Sequence, residues 1–131
     1  MIGFRLSFTA GLMLLMAAGA AAFAGEKLPF EQARFAAAQQ ADRPILVDIT
    51  ATWCPTCKAQ KPIIDKIAAA AEFRDLTIFG VDFDTQKDTV RAFGAQSQST
   101  LIAFKGNKET GRSVGEMRAA SIEALVRSAL K

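Results

Sequence analysis

Ile45-Leu46-Val47-Asp48-Ile49-Thr50-Ala51-Thr52-Trp53-Cys54-Pro55-Thr56-Cys57-Lys58 decides how this chain is read. Its first half, Ile45 to Ala51, is a nearly continuous apolar run interrupted by Asp48, as expected of a central strand buried on both faces. Its second half carries the only two cysteines of the chain, three residues apart, where strand gives way to helix. Two thiols at that spacing and in that place indicate dithiol–disulfide chemistry. A structural staple is the blander alternative, but a loop this short gives little entropic stabilisation and strains the bond.

Working outward, Ile63, Ile64, Ile67, Ala68 and Ala71 recur at helical spacing and predict a helix from Cys57 to Ala71. Pro62 lies inside it, withholds an amide from the Lys58 carbonyl, and predicts a kink about a turn after Cys57. On the N-terminal side, Leu28-Pro29-Phe30 opens a first helix. Phe30, Ala33, Ala37 and Ala38 share one face of it, and Pro44 marks its limit. On the C-terminal side, Leu76 to Phe83 is a strand, and a short helix over Lys87 to Phe93 is stopped by Gly94. Thr100 to Lys105 and Arg112 to Gly115 flank Gly106-Asn107 and make a hairpin. A last helix runs from Ala119 to Leu130. The order α-β-α-β-α-β-β-α implies parallel early pairing with an antiparallel closing edge. The expected fold class is therefore α/β, a three-layer α/β/α sandwich around a mixed sheet of about four strands.

The first residues read as a leader. Met1 to Arg5 are basic, Leu6 to Gly25 carry no charge, and Ala22-Phe23-Ala24 has the small-x-small pattern of a peptidase site. Residues 1–24 are thus expected to be a secretory signal peptide and residues 25–131 a single domain, exported and periplasmic. An uncleaved anchor is the alternative. In an oxidising compartment a cysteine pair persists as a disulfide. Absences narrow the chemistry further. With no histidine among 131 residues, cysteine–histidine and serine triads and histidine metal sites are impossible. The 16 Lys and Arg and 13 Asp and Glu are interleaved, with no basic stripe for nucleic acid. Asp82, Asp84 and Asp88 lack the glycine and terminal glutamate of a cation loop and read as a solvated strand end. No cofactor or metal is implied.

Four features in order resemble the thioredoxin family. They are the strand Ile45-Leu46-Val47-Asp48 with its buried aspartate, the Trp53-Cys54-Pro55-Thr56-Cys57 motif, Pro62, and Phe104-Lys105-Gly106-Asn107 followed by Val114-Gly115. The N-terminal part is short, so the family's first strand is expected to be missing. Two positions depart from the family. Ser99 stands where a cis-proline usually faces the cysteines. A cis bond costs only about 0.5–1 kcal/mol before proline but roughly 2.5–4 before serine, which predicts a trans Gln98–Ser99 peptide. Gly80 stands where the family places a lysine near the buried aspartate, and without that cation Asp48 is expected to titrate high.

The resemblance implies a protein thiol–disulfide oxidoreductase. Cys54 is expected at the mouth of the active-site helix, open to solvent, where the helix dipole contributes at most ~2 kcal/mol to a thiolate. Amide hydrogen bonds, including that of Cys57, or the Thr56 hydroxyl would lower its pKa further. Cys57 resolves the mixed disulfide, and Asp48 handles its proton. Trp53, Pro55, Thr56, Gln98 and Ser99 form the expected substrate surface. Trp-Cys-x-x-Cys-Lys resembles the reductant or isomerase branch, whereas dedicated oxidants carry histidine before the second cysteine and a helical insertion. The implied partners are protein thiols or disulfides and a membrane electron donor, with the chain itself a monomer. The rival reading is a module that binds a metal or iron–sulfur cluster between two chains through Cys54 and Cys57.

Overall fold

The computed structural model describes residues 25–131; the expected leader, residues 1–24, lies outside the described residues. Strands β1 (Glu26–Pro29), β2 (Pro44–Thr50), β3 (Thr77–Asp82), β4 (Thr100–Lys105) and β5 (Lys108–Val114) alternate with helices α1 (Gln32–Gln40), α2 (Pro55–Ala69), α3 (Lys87–Ala92) and α4 (Ala119–Ser128). A single 3-10 turn, Ala71–Phe73, follows α2. The strands form one sheet in the order β1-β3-β2-β4-β5, parallel on the β1 side and antiparallel through β4 and β5.

The sheet has five strands, one more than expected, and the extra one is the first strand thought to be missing. Leu28 and Pro29 open no helix; they pair with Phe79 and Gly80 of β3. In so short a run Leu28 is the only residue pointing into the core, which leaves no alternation to read. Pro29 imitates a helix start, yet on an edge strand its absent amide costs nothing. At the other edge, β5 extends back to Lys108, well before Arg112, with a register shift at Ala103/Phe104. Its residues, KETGRSV, carry no apolar stripe, and the strand is held by pairing with β4.

The apolar residues of β2 explain the layers. Ile45, Val47 and Ile49 face α1 and α3, in a cluster with Phe35, Phe79, Val90 and Phe104. Phe35 meets Phe79, Phe93 and Phe104 edge-on with centroids 5.4 to 5.6 Å apart. On the other face Leu46 packs with Ile64 and Ile67 of α2 and Ile122 and Val126 of α4. Each of these fully buried side chains contributes roughly 1.5–3 kcal/mol, so β2 is clamped from both sides and holds its C-terminal end, where Asp48 and the cysteines follow, in a fixed place. The helix after it starts at Pro55, two residues earlier than expected, because proline suits a first helical position and Cys54 takes the cap.

Candidate active site

Cys54 is the N-cap of α2, in extended backbone conformation, and its sulfur accepts the amide of Cys57 at 3.1 Å. A Cys amide pointed at a cap sulfur stabilises negative charge there, as expected from the free amides at a helix start. The two cysteines are joined, with Cα atoms 5.3 Å apart, inside the roughly 4.4–6.8 Å a disulfide spans.

The expected exposure of Cys54 is not met. Cys54 is 1% exposed and Cys57 7%. The pair packs against Ala51 and Phe83. Cys57 is the more exposed of the two. It lines a cleft of about 340 Å3 with Asp48, Thr50, Ala51, Thr52, Lys27, Lys58 and Lys61.

Asp48 stands on the floor of that cleft. Burial pushes its carboxyl up to about 6, against the pull of Lys27 and with some help from Asp65. The expected direction holds, and the cause is the one foreseen, burial with too little compensating charge. A cation is nonetheless present, supplied by the unforeseen strand. Lys27 of β1 pairs with Ile78, two residues from Gly80, and Gly80 itself is the partner of Asp48. Lys27 forms an ion pair with Asp65, which also receives Lys61 at 2.6 Å. These two hydrogen bonds hold the Asp65 carboxyl below its usual range.

On the opposite flank, toward β4, the Gln98–Ser99 peptide is trans, as are all the described peptide bonds. Ser99 has φ +56°, in the left-handed region, which costs a residue with a Cβ about 1–2 kcal/mol. Ser99 is buried and Gln98 half-buried. The Ser99 carbonyl accepts the Gly115 amide at 2.9 Å and the Gln60 side-chain amide at 3.4 Å. The structure thus brings Ser99 and the turn after β5 together beside α2.

Trp53 is 55% exposed, and its indole N–H donates to Asp84 Oδ2 at 2.7 Å. Pro55 is exposed and Thr56 half-buried in the first turn of α2. Asp82 caps its own turn, accepting the amides of Asp84 and Thr85 at 2.8 and 3.0 Å. Among the described residues no group of three or more His, Cys, Asp or Glu is placed to hold a metal ion.

Sequence reasoning missed Lys27, Gln60 and Asp84. For Gln60 a signal existed, since it falls at a core position of α2 between Cys57 and Ile64 and is the polar residue on that stripe. Lys27 and Asp84 carry no local signal, because their partners are distant in the chain.

The thioredoxin family model matches residues 26–128. The thioredoxin of Alicyclobacillus acidocaldarius is 32% identical over 99 residues, covering 76% of this chain and 93% of that relative. The thioredoxin of Mycobacterium tuberculosis is 42% identical over 74 residues; the match spans 56% of this chain and 63% of that protein, just under two thirds of its length. The crystal structure of Trxlp from Edwardsiella tarda superposes with a TM-score of 0.75 at 38% identity, over 77% of this chain and 98% of that one. With the sheet order, the cysteine pair at the head of α2 and the aspartate beneath it, these matches agree that this chain belongs to the thioredoxin family.

Proposed function

We propose that the protein is a thiol–disulfide oxidoreductase that reduces or isomerises disulfides of other proteins through Cys54 and Cys57. The observation that carries this is the cap itself: the Cys57 amide on the Cys54 sulfur, with a high-titrating Asp48 in the cleft that reaches Cys57. In the reduced protein the Cys54 thiolate attacks one sulfur of a substrate disulfide. The other substrate sulfur leaves as a thiolate, and a mixed disulfide remains. Cys57 gives its proton to the Asp48 carboxylate and attacks the Cys54 sulfur. The second substrate sulfur also leaves as a thiolate, the proton held by Asp48 and one from solvent complete the substrate dithiol, and Cys54–Cys57 is the oxidised pair. A carboxyl titrating near 6 suits this, because it is mostly ionised at neutral pH yet basic enough to take a proton.

The reductant or isomerase branch is favoured by Trp53-Cys54-Pro55-Thr56-Cys57-Lys58, with threonine before the second cysteine, and by the short stretch between Asp84 and Ser99, which holds only the six-residue α3. Trapping tests it. Cys57→Ser should hold protein partners on Cys54 as mixed disulfides, identifiable by mass spectrometry. Because Cys57 is the more exposed of the bonded pair, the reverse result, with Cys54→Ser trapping more, would exchange attacker and resolver.

The working place of the protein is proposed to be the periplasm, as a monomer re-reduced by a membrane electron donor. Support comes from the uncharged run Leu6 to Gly25 and the Ala22-Phe23-Ala24 site. A second support is the position of Gly25, whose amide donates to the Ala68 carbonyl at 2.7 Å, in the last turn of α2. Cleavage after Ala24 would place a free ammonium at the negative end of that helix. Sequencing the N-terminus of the exported protein checks this; a start other than Gly25 would remove the support.

A further inference from the structure

Gln60 is 1% exposed, on the face of α2 that otherwise buries Cys57, Ile64, Ile67 and Ala68. Its Nε2 donates to the Glu116 carbonyl at 2.8 Å and to the Ser99 carbonyl at 3.4 Å. Its Oε1 is buried without a partner. As packing this is a poor choice, since an apolar side chain of similar size would fill the space without burying an unpaired side-chain oxygen. The amide does something packing cannot. Ser99 ends the segment between α3 and β4, and Glu116 lies in the segment between β5 and α4. Gln60 ties both to the helix that carries Cys57.

The tie matters because of the conformation it meets. Without proline, nothing in the covalent chain fixes the backbone at position 99, and a serine left alone prefers negative φ. Its φ of +56° is held by what grips its carbonyl, namely the Gly115 amide and Gln60. Resting on the redox reading above, we propose that Gln60 is a positioning residue for substrate docking. Thr100, next to Ser99, pairs with Ile49 at the end of β2 that leads into the cysteines, so by gripping the Ser99 and Glu116 carbonyls Gln60 fixes the backbone beside that junction in the form that accepts an extended polypeptide disulfide, and so favours polypeptide over small-molecule substrates. Gln60 touches no reacting sulfur in this role; it acts through Ser99.

The test compares Gln60→Leu with the unaltered protein on two probes, insulin as the polypeptide disulfide and dithiobis(nitrobenzoate) as the small one. Gln60→Leu should stay folded, with a cooperative melt, and reduce the small disulfide at the same rate as the unaltered protein. Its KM for insulin should rise about tenfold with kcat within about twofold, the pattern of lost binding rather than lost chemistry. Gln60→Met carries the same expectation should the leucine variant fail to fold. An unchanged insulin KM in a folded variant overturns the proposal, and so does an equal loss on both probes. If the unaltered protein is inert on both, the redox reading itself fails and takes this inference with it.

Discussion

The two flanks of the disulfide are built from different materials. Toward β3 and β1 lies a cleft of charged side chains, with Asp48 on its floor and Lys27, Lys58 and Lys61 around it. Toward β4 and β5 lie backbone groups, the Ser99 and Glu116 carbonyls and the Gly115 amide, held by one buried side chain. The first flank can move protons, because Asp48 titrates there at about 6 and lines a cleft open to solvent. The second is a backbone frame closed on itself, and in the docking role proposed above it would hold the neighbouring chain in the form that a substrate's backbone meets. Placing them on opposite sides of β2 lets proton transfer and docking be altered separately. Each prediction below strikes one flank and asks whether the other responds.

The largest effect belongs to the cysteines that both flanks share. Either serine substitution should abolish turnover, a loss of at least about a thousandfold for residues that act as a unit, measured as insulin reduction. Next comes Asp48→Asn. The folded carboxyl titrates at about 6 rather than 3.8, so ionising it opposes folding. Below pH ~4 it is protonated in folded and unfolded chains alike and the penalty is absent; the penalty grows between pH ~4 and 6 and is complete above 6. Asp48→Asn should therefore raise stability at pH 7 by about 3 kcal/mol at most, with the gain fading as pH falls to 4, in denaturant titrations. The same variant should lose the rise in turnover centred near pH 6 while leaving KM for insulin unchanged. A shifted KM would show that the flanks are coupled.

How legible each flank was in the sequence follows from where its information is stored. Asp48, Trp53, Cys54, Pro55 and Cys57 lie within one strand–helix junction, so the cysteine spacing and the family resemblance built on it singled them out, with the Cys57 amide as one of the donors offered to the Cys54 sulfur. The three-layer architecture was legible for the same reason, since β2, α2, β3 and α4 carry long apolar patterns. β1 was not, because four residues with one inward side chain show no period, and Pro29 imitates a helix start. Lys27 and Gln60 act across pairs far apart in sequence, 38 residues from Lys27 to Asp65 and 39 from Gln60 to Ser99. The covered state of Cys54 was misjudged because helix position predicts which sulfur meets the amides, not how far Ala51 and Phe83 cover the bonded pair.

The docking flank is tested through Ser99. Proline there would not restore the family's form by substitution alone, since its ring holds φ near −65° and this position has φ +56°. Ser99→Pro should destabilise by more than about 1 kcal/mol and weaken insulin binding, with the Asp48 titration unmoved. Ser99→Gly, free to adopt positive φ, should instead be neutral to about 1 kcal/mol more stable.

The smallest effect, and the sharpest on the charged flank, concerns the lysine supplied by β1. Lys27 holds Asp48 down, so Lys27→Gln should move the Asp48 titration further up, followed by NMR of its carboxyl. Gly80→Lys should move it down. The site admits the side chain, because a Cβ on Gly80 would lie 3.8 Å from its nearest neighbour, the Leu28 carbonyl, an ordinary contact. The two changes lie on adjacent strands of one face, and in the double variant they should largely cancel. That result would mean that Asp48 responds to a cation in the cleft rather than to one on a particular strand, and that an edge strand lysine does here what Gly80 cannot. If Lys27→Gln left the titration in place, its charge would be spent on Asp65 alone, and burial by itself would set the proton affinity of the site.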